Sequence, residues 1–100
     1  MGRTMIVSRA HCHHVGDAPI SLGADILAAA QVLAAHFKTA LGADQFNLMS
    51  ANGEKAEQSV QHLHFHYLPR FGDEPFSTWP RLPPFKTDLD DLHKKLVIDT

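Results

Sequence analysis

The run "QHLHFHYL", residues 61–68, limits what this chain can fold into more than any other stretch. It alternates His62, His64 and His66 with Leu63, Phe65 and Tyr67. Successive side chains on a strand point to opposite faces, so this period of two predicts a strand with one apolar and one imidazole-lined face. A helix would scatter the same residues around its axis. The strand is expected over 59–68, with Pro69 ending it. Leu63, Phe65 and Tyr67 need cover from a second layer. Val60, His62, His64, His66 and Leu68 are left on the other side, with neighbouring histidines about 7 Å apart.

A suitable second layer is present. Ile26, Ala30, Leu33, Phe37 and Leu41 recur at steps of three and four, which predicts a helix over about 24–41 with one apolar stripe. Gly42 is placed to close it in the left-handed conformation. "RTMIVSR", residues 3–9, reads as a first strand, apolar on both faces at Met5, Ile6 and Val7 and therefore not at an edge. "DQFNLMS", residues 44–50, reads as another strand, joined to the histidine strand by a wide turn at Asn52-Gly53 and paired antiparallel with it. Residues 71–85 hold four of the six prolines together with Trp79 and form a packed loop. "TDLDDLHKKLVIDT" predicts a short final helix capped by Thr87, with Leu89, Leu92 and Leu96 inward. The fold class is α+β: an antiparallel sheet of about four strands, one long helix packed on it and a short C-terminal helix. One hundred residues suffice for a single modest core, so residues 1–100 read as one domain.

Composition narrows the function. A net charge of −2 argues against a general electrostatic grip on nucleic acid or anionic lipid. The single cysteine, Cys12, rules out an internal disulfide and a multi-cysteine zinc site. No stretch is apolar enough for a membrane span or a signal peptide, and a cytoplasmic protein is expected. The anomaly is eight histidines.

Read as chemistry, the histidine row has three possible meanings. It is a solvated face, although perfect alternation makes chance a poor account. It is a metal site, since neutral imidazoles are common ligands. Or it is a nucleophilic and acid–base site, since a neutral imidazole attacks phosphorus well and its neighbours can hold phosphate oxygens and move protons.

"HLHFHYL" resembles the signature of the histidine-triad (HIT) family, His-apolar-His-apolar-His followed by two apolar residues. The stretch "FNLMSANGEKAEQSVQHLHFHYLPRF" resembles the family's run from an Asn-Gly turn through Gln-x-Val to the triad. "GRTMIVSRAH" resembles the strand leading to a further active-site histidine. The resemblance covers about Gly2 to Phe71. It implies a hydrolase or transferase acting on the α-phosphate of nucleoside phosphoramidates or dinucleoside polyphosphates. His64 would be the nucleophile and form a nucleotidyl-histidine intermediate, with the backbone carbonyl of His62 fixing its tautomer. His66 would hold a phosphate oxygen or the leaving group, and His11 would pair with the His62 side chain. Asn52, Gln58 and Ser59 would contact phosphate. No metal or other cofactor is implied. The implied partners are a nucleotide or nucleotidylated small molecule and a second copy of the chain as a homodimer.

The chain also departs from the family pattern. The family's usual hairpin and helix ahead of Gly2 are missing from this sequence. Glu57 stands where glycine is usual, and Ser8 replaces a common proline, a change expected to matter little. Two alternatives to catalysis remain open at this point: a non-catalytic nucleotide-binding domain with an incomplete pocket, and a histidine-based metal module. "HCHH", residues 11–14, could bind a metal but reads more readily as a loop edge. Arg70 could reach a phosphate or simply be a solvated strand-end charge, and Trp79 reads as a loop anchor or dimer contact.

Overall fold

The computed structural model describes residues 2–80, 82–84 and 88–98. Strand β1 is Thr4–Val7, helix α1 Ser21–Leu41, β2 Gln45–Met49, β3 His64–Arg70 and α2 Leu89–Leu96. Short 3-10 turns lie at Val15–Asp17 and Glu54–Ala56. The described strands form one antiparallel sheet in the order β1-β3-β2, three strands where the sequence suggested about four. The helix-on-sheet arrangement and the antiparallel pairing of β2 with β3 are as expected.

Register sorts the side chains into two faces. Val7 lies opposite His64, Met5 opposite His66, and Met49 opposite His66 from the other side. Opposed residues share a face, so His64, His66, Met5, Val7 and Met49 line one side. Ile6 opposes Phe65, Thr4 opposes Tyr67, and Leu48 opposes Tyr67, and these line the side under α1. Tyr67 is 1% exposed, with Phe46 stacked at 4.5 Å and Phe37 of α1 at 5.6 Å. Desolvation there raises the Tyr67 pKa. Losing such an aromatic from a core costs about 3–5 kcal/mol.

On α1, Ala30 is buried and Ile26, Leu33, Phe37 and Leu41 are half-buried, which makes the expected stripe the inward one. The helix starts at Ser21, three residues earlier than expected, and ends at Gly42 in the left-handed region (φ 70°). Gly42 and Ala43 return their N–H groups to the carbonyls of Lys38 and Phe37.

Four expectations are corrected. β1 is an edge strand among the described residues, and Met5 and Val7 are 50% and 53% exposed, because apolar residues on both faces do not by themselves bring a second neighbour. β3 begins at His64, not at residue 59, because the Leu63 N–H is taken by the Cys12 carbonyl at 2.8 Å. β3 also runs through Pro69, which opposes Phe46. β1 pairs no further than Tyr67, so Pro69 has a strand neighbour on one side only, where a missing N–H is tolerated. On α2, Leu89 and Leu96 are exposed and only Leu92 is half-buried. That helix rests on the Asp88 side chain, which accepts from Asp90 and Asp91 N–H. The expected cap Thr87 lies outside the described residues.

Candidate active site

β3 is the central strand, so whatever it presents on its open face is held from both sides. It presents His64, 7% exposed, and His66, with ring centroids 5.0 Å apart and edge to face. His64 Nδ1 lies 2.9 Å from the His62 carbonyl. A carbonyl only accepts, so Nδ1 carries the proton and the Nε2 lone pair is left free. That is the form in which an imidazole is a nucleophile. The His64 carbonyl in turn accepts from the Ser50 hydroxyl at 3.0 Å, which ties the nucleophile's backbone to the end of β2.

His62 lies just ahead of the strand. Its Nε2 is 2.7 Å from the Ser8 carbonyl, so the proton sits there and Nδ1 is the acceptor. The Ser8 hydroxyl is 3.3 Å from the same nitrogen and donates to the Ala10 carbonyl at 2.8 Å. Ser8 therefore anchors the site through both its backbone and its hydroxyl, although it was expected to matter little. A proline would keep the carbonyl and lose the hydroxyl. The His11 ring meets His62 edge-on at 5.8 Å and His13 at 5.3 Å. The two histidines expected to pair are thus neighbours.

His66 has a partner that sequence reasoning missed. Arg3 Nη2 lies 3.4 Å from His66 Nδ1, across the sheet and 63 residues away. Burial, then the Arg3 charge, then His64 hold the His66 pKa below the ordinary imidazole value. Beside this pair the histidine face opens into a cavity of about 490 Å³ lined by Arg3, Met49, Leu68, Phe76 and Thr78. Two further cavities lie under α1, on the opposite face of the sheet, so the histidines border neither.

The remaining candidates belong to the loop beside the row. Gln58 is 5% exposed. Its Oε1 accepts from Gly53 N–H at 2.7 Å, and its Nε2 donates to the carbonyls of His13 at 2.5 Å and Val60 at 2.9 Å. Asn52 accepts from Val15 N–H at 2.8 Å and donates to the Ser50 carbonyl at 3.3 Å. Ser59 is exposed, with no hydrogen bond from its hydroxyl among the described residues. Glu57 closes the turn at φ 70°, a left-handed backbone that suits glycine.

In the "HCHH" segment, His14 Nδ1 accepts from Gly16 N–H and Cys12 is buried. Among the described residues no three His, Cys, Asp or Glu side chains are grouped to hold a metal. Arg70 is six residues along the chain from His64, about 20 Å at the strand rise. It donates to Asn47 and to the Phe76 carbonyl, and its Nε lies 3.5 Å from Glu74 outside hydrogen-bonding geometry.

Fold and site together define a class: a small antiparallel sheet backed by one long helix, carrying alternate histidines on its open face with the middle ring set as a free base. Residues 2–73 match the HIT domain, and the chain belongs to that family. It is 32% identical over 99 residues to Adenosine 5'-monophosphoramidase HNT1 of Saccharomyces cerevisiae, a match covering 96% of this chain and 60% of the yeast protein. It is 30% identical over 69 residues to Adenylylsulfatase HINT3 of Arabidopsis thaliana, covering 69% and 35% of the two chains. The crystal structure of SMU.412c from Streptococcus mutans UA159 superposes with a TM-score of 0.75 at 26% identity, over 94% of this chain and 59% of that one. The chain thus spans 60% or less of the length of each of these relatives.

Proposed function

We propose that this chain is a nucleotidyl hydrolase or transferase that works through His64 at the α-phosphate of a nucleotide. The observation that carries the reading is the 2.9 Å contact of His64 Nδ1 with the His62 carbonyl, which leaves Nε2 unprotonated. In the first step Nε2 bonds to the α-phosphorus as the bond to the leaving group breaks. The ring becomes positively charged, and its Nδ1–H bond to the carbonyl strengthens as that charge develops. An interaction that grows toward the transition state accelerates the step rather than merely tightening substrate binding. In the second step water attacks phosphorus and gives up a proton to the solvent as the monophosphate forms, while the P–N bond breaks and its electron pair returns to Nε2.

His66 faces the phosphate or leaving group, and His62 and His11 brace the other end of the row. Ser59 has its hydroxyl free for a phosphate oxygen. Asn52 and Gln58, also assigned to phosphate contact, act there by shaping the loop whose backbone they hold, or by exchanging one of those bonds for substrate. The names of the yeast and Arabidopsis relatives support a nucleotide with a cleavable group on its α-phosphate. A homodimer and a cytoplasmic setting belong to the same proposal. Among the described residues no helix is long and apolar enough to cross a membrane.

The test is release of nucleoside monophosphate from adenosine phosphoramidate and diadenosine polyphosphate, with His64→Ala as the comparison. Release by the native chain, lost in the variant by a factor of about a thousand or more, fits the loss of a covalent nucleophile. Turnover that survives His64→Ala overturns the proposal. Nucleotide binding by the folded chain without turnover replaces it with a binding domain.

A further inference from the structure

His66 stands beside His64, and its partner Arg3 and its register neighbour Met49 line the cavity on the same face of the sheet. A guanidinium has only donors, so its Nη2 at 3.4 Å requires His66 Nδ1 to be the acceptor. A ring that accepts at Nδ1 carries its one proton at Nε2. The groups facing His66 are Arg3 from β1 and His64 along β3, while its register partners Met5 and Met49 are uncharged. Among the described residues, none of these neighbours is a carboxylate that would favour a second proton.

We propose, resting on the nucleotidyl-transfer reading above, that Arg3 is the residue that selects the leaving group: it holds His66 as a neutral Nε2–H donor and supplies the positive charge of the cavity beside it. The site then favours α-phosphate anhydrides whose leaving group departs as an anion, such as sulfate or a phosphate chain, over phosphoramidates. When His64 Nε2 bonds to phosphorus, the electron pair of the P–O bond goes to the departing oxygen. A sulfate or phosphate carries that pair away without a proton, and Arg3 meets the charge. An amine cannot leave as an amide anion, so the P–N bond breaks only as its nitrogen gains a proton. Neutral His66 can donate a hydrogen bond from Nε2 but cannot give that proton up, since imidazolate is far too basic. The burial and Arg3 charge that hold the His66 pKa low act in the same direction.

Adenosine 5'-phosphosulfate and adenosine 5'-phosphoramidate serve as the two probes, with the whole chain and its Arg3→Gln and Arg3→Lys variants. The native chain is expected to prefer the phosphosulfate. In Arg3→Gln the ratio of kcat/KM values falls about tenfold, the size of one charge-assisted contact. The alkaline limb of phosphoramidate turnover, where a protonated His66 is lost, moves to higher pH in the same variant, and Arg3→Lys restores most of the preference. A ratio that stays within about twofold of the native value in Arg3→Gln overturns the proposal, as does an equal fall on both probes. Long-range ¹H–¹⁵N spectra of the His66 ring give a readout independent of turnover. The native ring is expected in the Nε2–H form and becomes mixed in Arg3→Gln, and a native ring protonated at Nδ1 overturns the proposal whatever the rates. Turnover that survives His64→Ala overturns the proposed function instead, and so separates the two failures.

Discussion

Gln58 joins three pieces of chain that share no regular structure: the turn at Gly53, the loop at His13 and the approach to β3 at Val60. Its carboxamide uses one acceptor and both donors there, in a site only 5% exposed. Gln58→Ala would leave one N–H and two carbonyls without that partner. A buried polar group that loses its bond costs about 1–3 kcal/mol. His13 and Val60 are exposed residues, so water can reach their carbonyls and the low end applies to both. The expected loss is about 3 kcal/mol. At a urea slope of about 1–1.5 kcal/mol/M for a chain this size, the unfolding midpoint falls by about 2 M. Gln58→Glu sharpens the test, because it keeps the acceptor for Gly53 and turns a carboxylate toward two carbonyls. Those carbonyls and the burial raise the new group's pKa, so this variant loses more stability at pH 7 than at pH 4.5. Far-UV circular dichroism against urea at both pH values measures it. A Gln58→Ala loss under about 0.5 kcal/mol at unchanged slope, or a Gln58→Glu variant indifferent to pH, would refute the view that this side chain holds the loop together.

Other perturbations have equally definite outcomes. Glu57→Gly removes a side chain from a left-handed backbone position and, after the entropy added to the unfolded chain, should stabilise by about 0.5–1 kcal/mol; a lower thermal midpoint would count against it. His66 has a lowered pKa, so as pH falls through about 6.5 the unfolded chain takes up the proton first and stability declines. Replacing His66 by Gln should flatten the urea-midpoint profile between that pH and the lower folded pKa. Glu74 accepts from Phe71 and Gly72 N–H, and these bonds, with the nearby Arg70, hold its carboxyl at about 2. Its contribution is full above about 4.5 and is lost as pH drops toward 2, a loss that Glu74→Gln should not show. Asp88→Ala removes the cap of an eight-residue helix and should lower helicity at 222 nm with a cost of about 1 kcal/mol or less.

The parts of the fold that follow from local periodicity were legible. The stripe from Ile26 to Leu41, the glycine stop at Gly42 and the two-faced strand around Phe65 each rest on one repeating interval. What could not be read depends on contacts between distant residues. Period two continues back through Val60, yet the strand stops at His64 because Leu63 bonds to Cys12, 51 residues earlier. Pro69 is harmless only because β1 is short, which is a fact about another strand. The edge position of β1 and the outward Leu89 and Leu96 depend on which neighbours are present, and no single segment encodes that. In the site, the alternation of histidines was plain, and the family resemblance already implied the His62 carbonyl as the group that fixes the His64 tautomer; the tautomers of His62 and His66, set by the Ser8 carbonyl and by Arg3, were not legible. The Arg3–His66 pair in particular has no local signature, since it exists only through the register of two strands.

The beginning of β3 at His64 has a consequence for anyone who would graft this row onto another sheet. Within a continuous ladder, the carbonyl of the first histidine would be claimed by a neighbouring strand. Here the pairing gives out two residues too soon for that, and the oxygen is free to turn toward the second ring. Three histidines copied onto the middle of a long, fully paired strand would reproduce the spacing and the face, but their rings would be left to choose either tautomer.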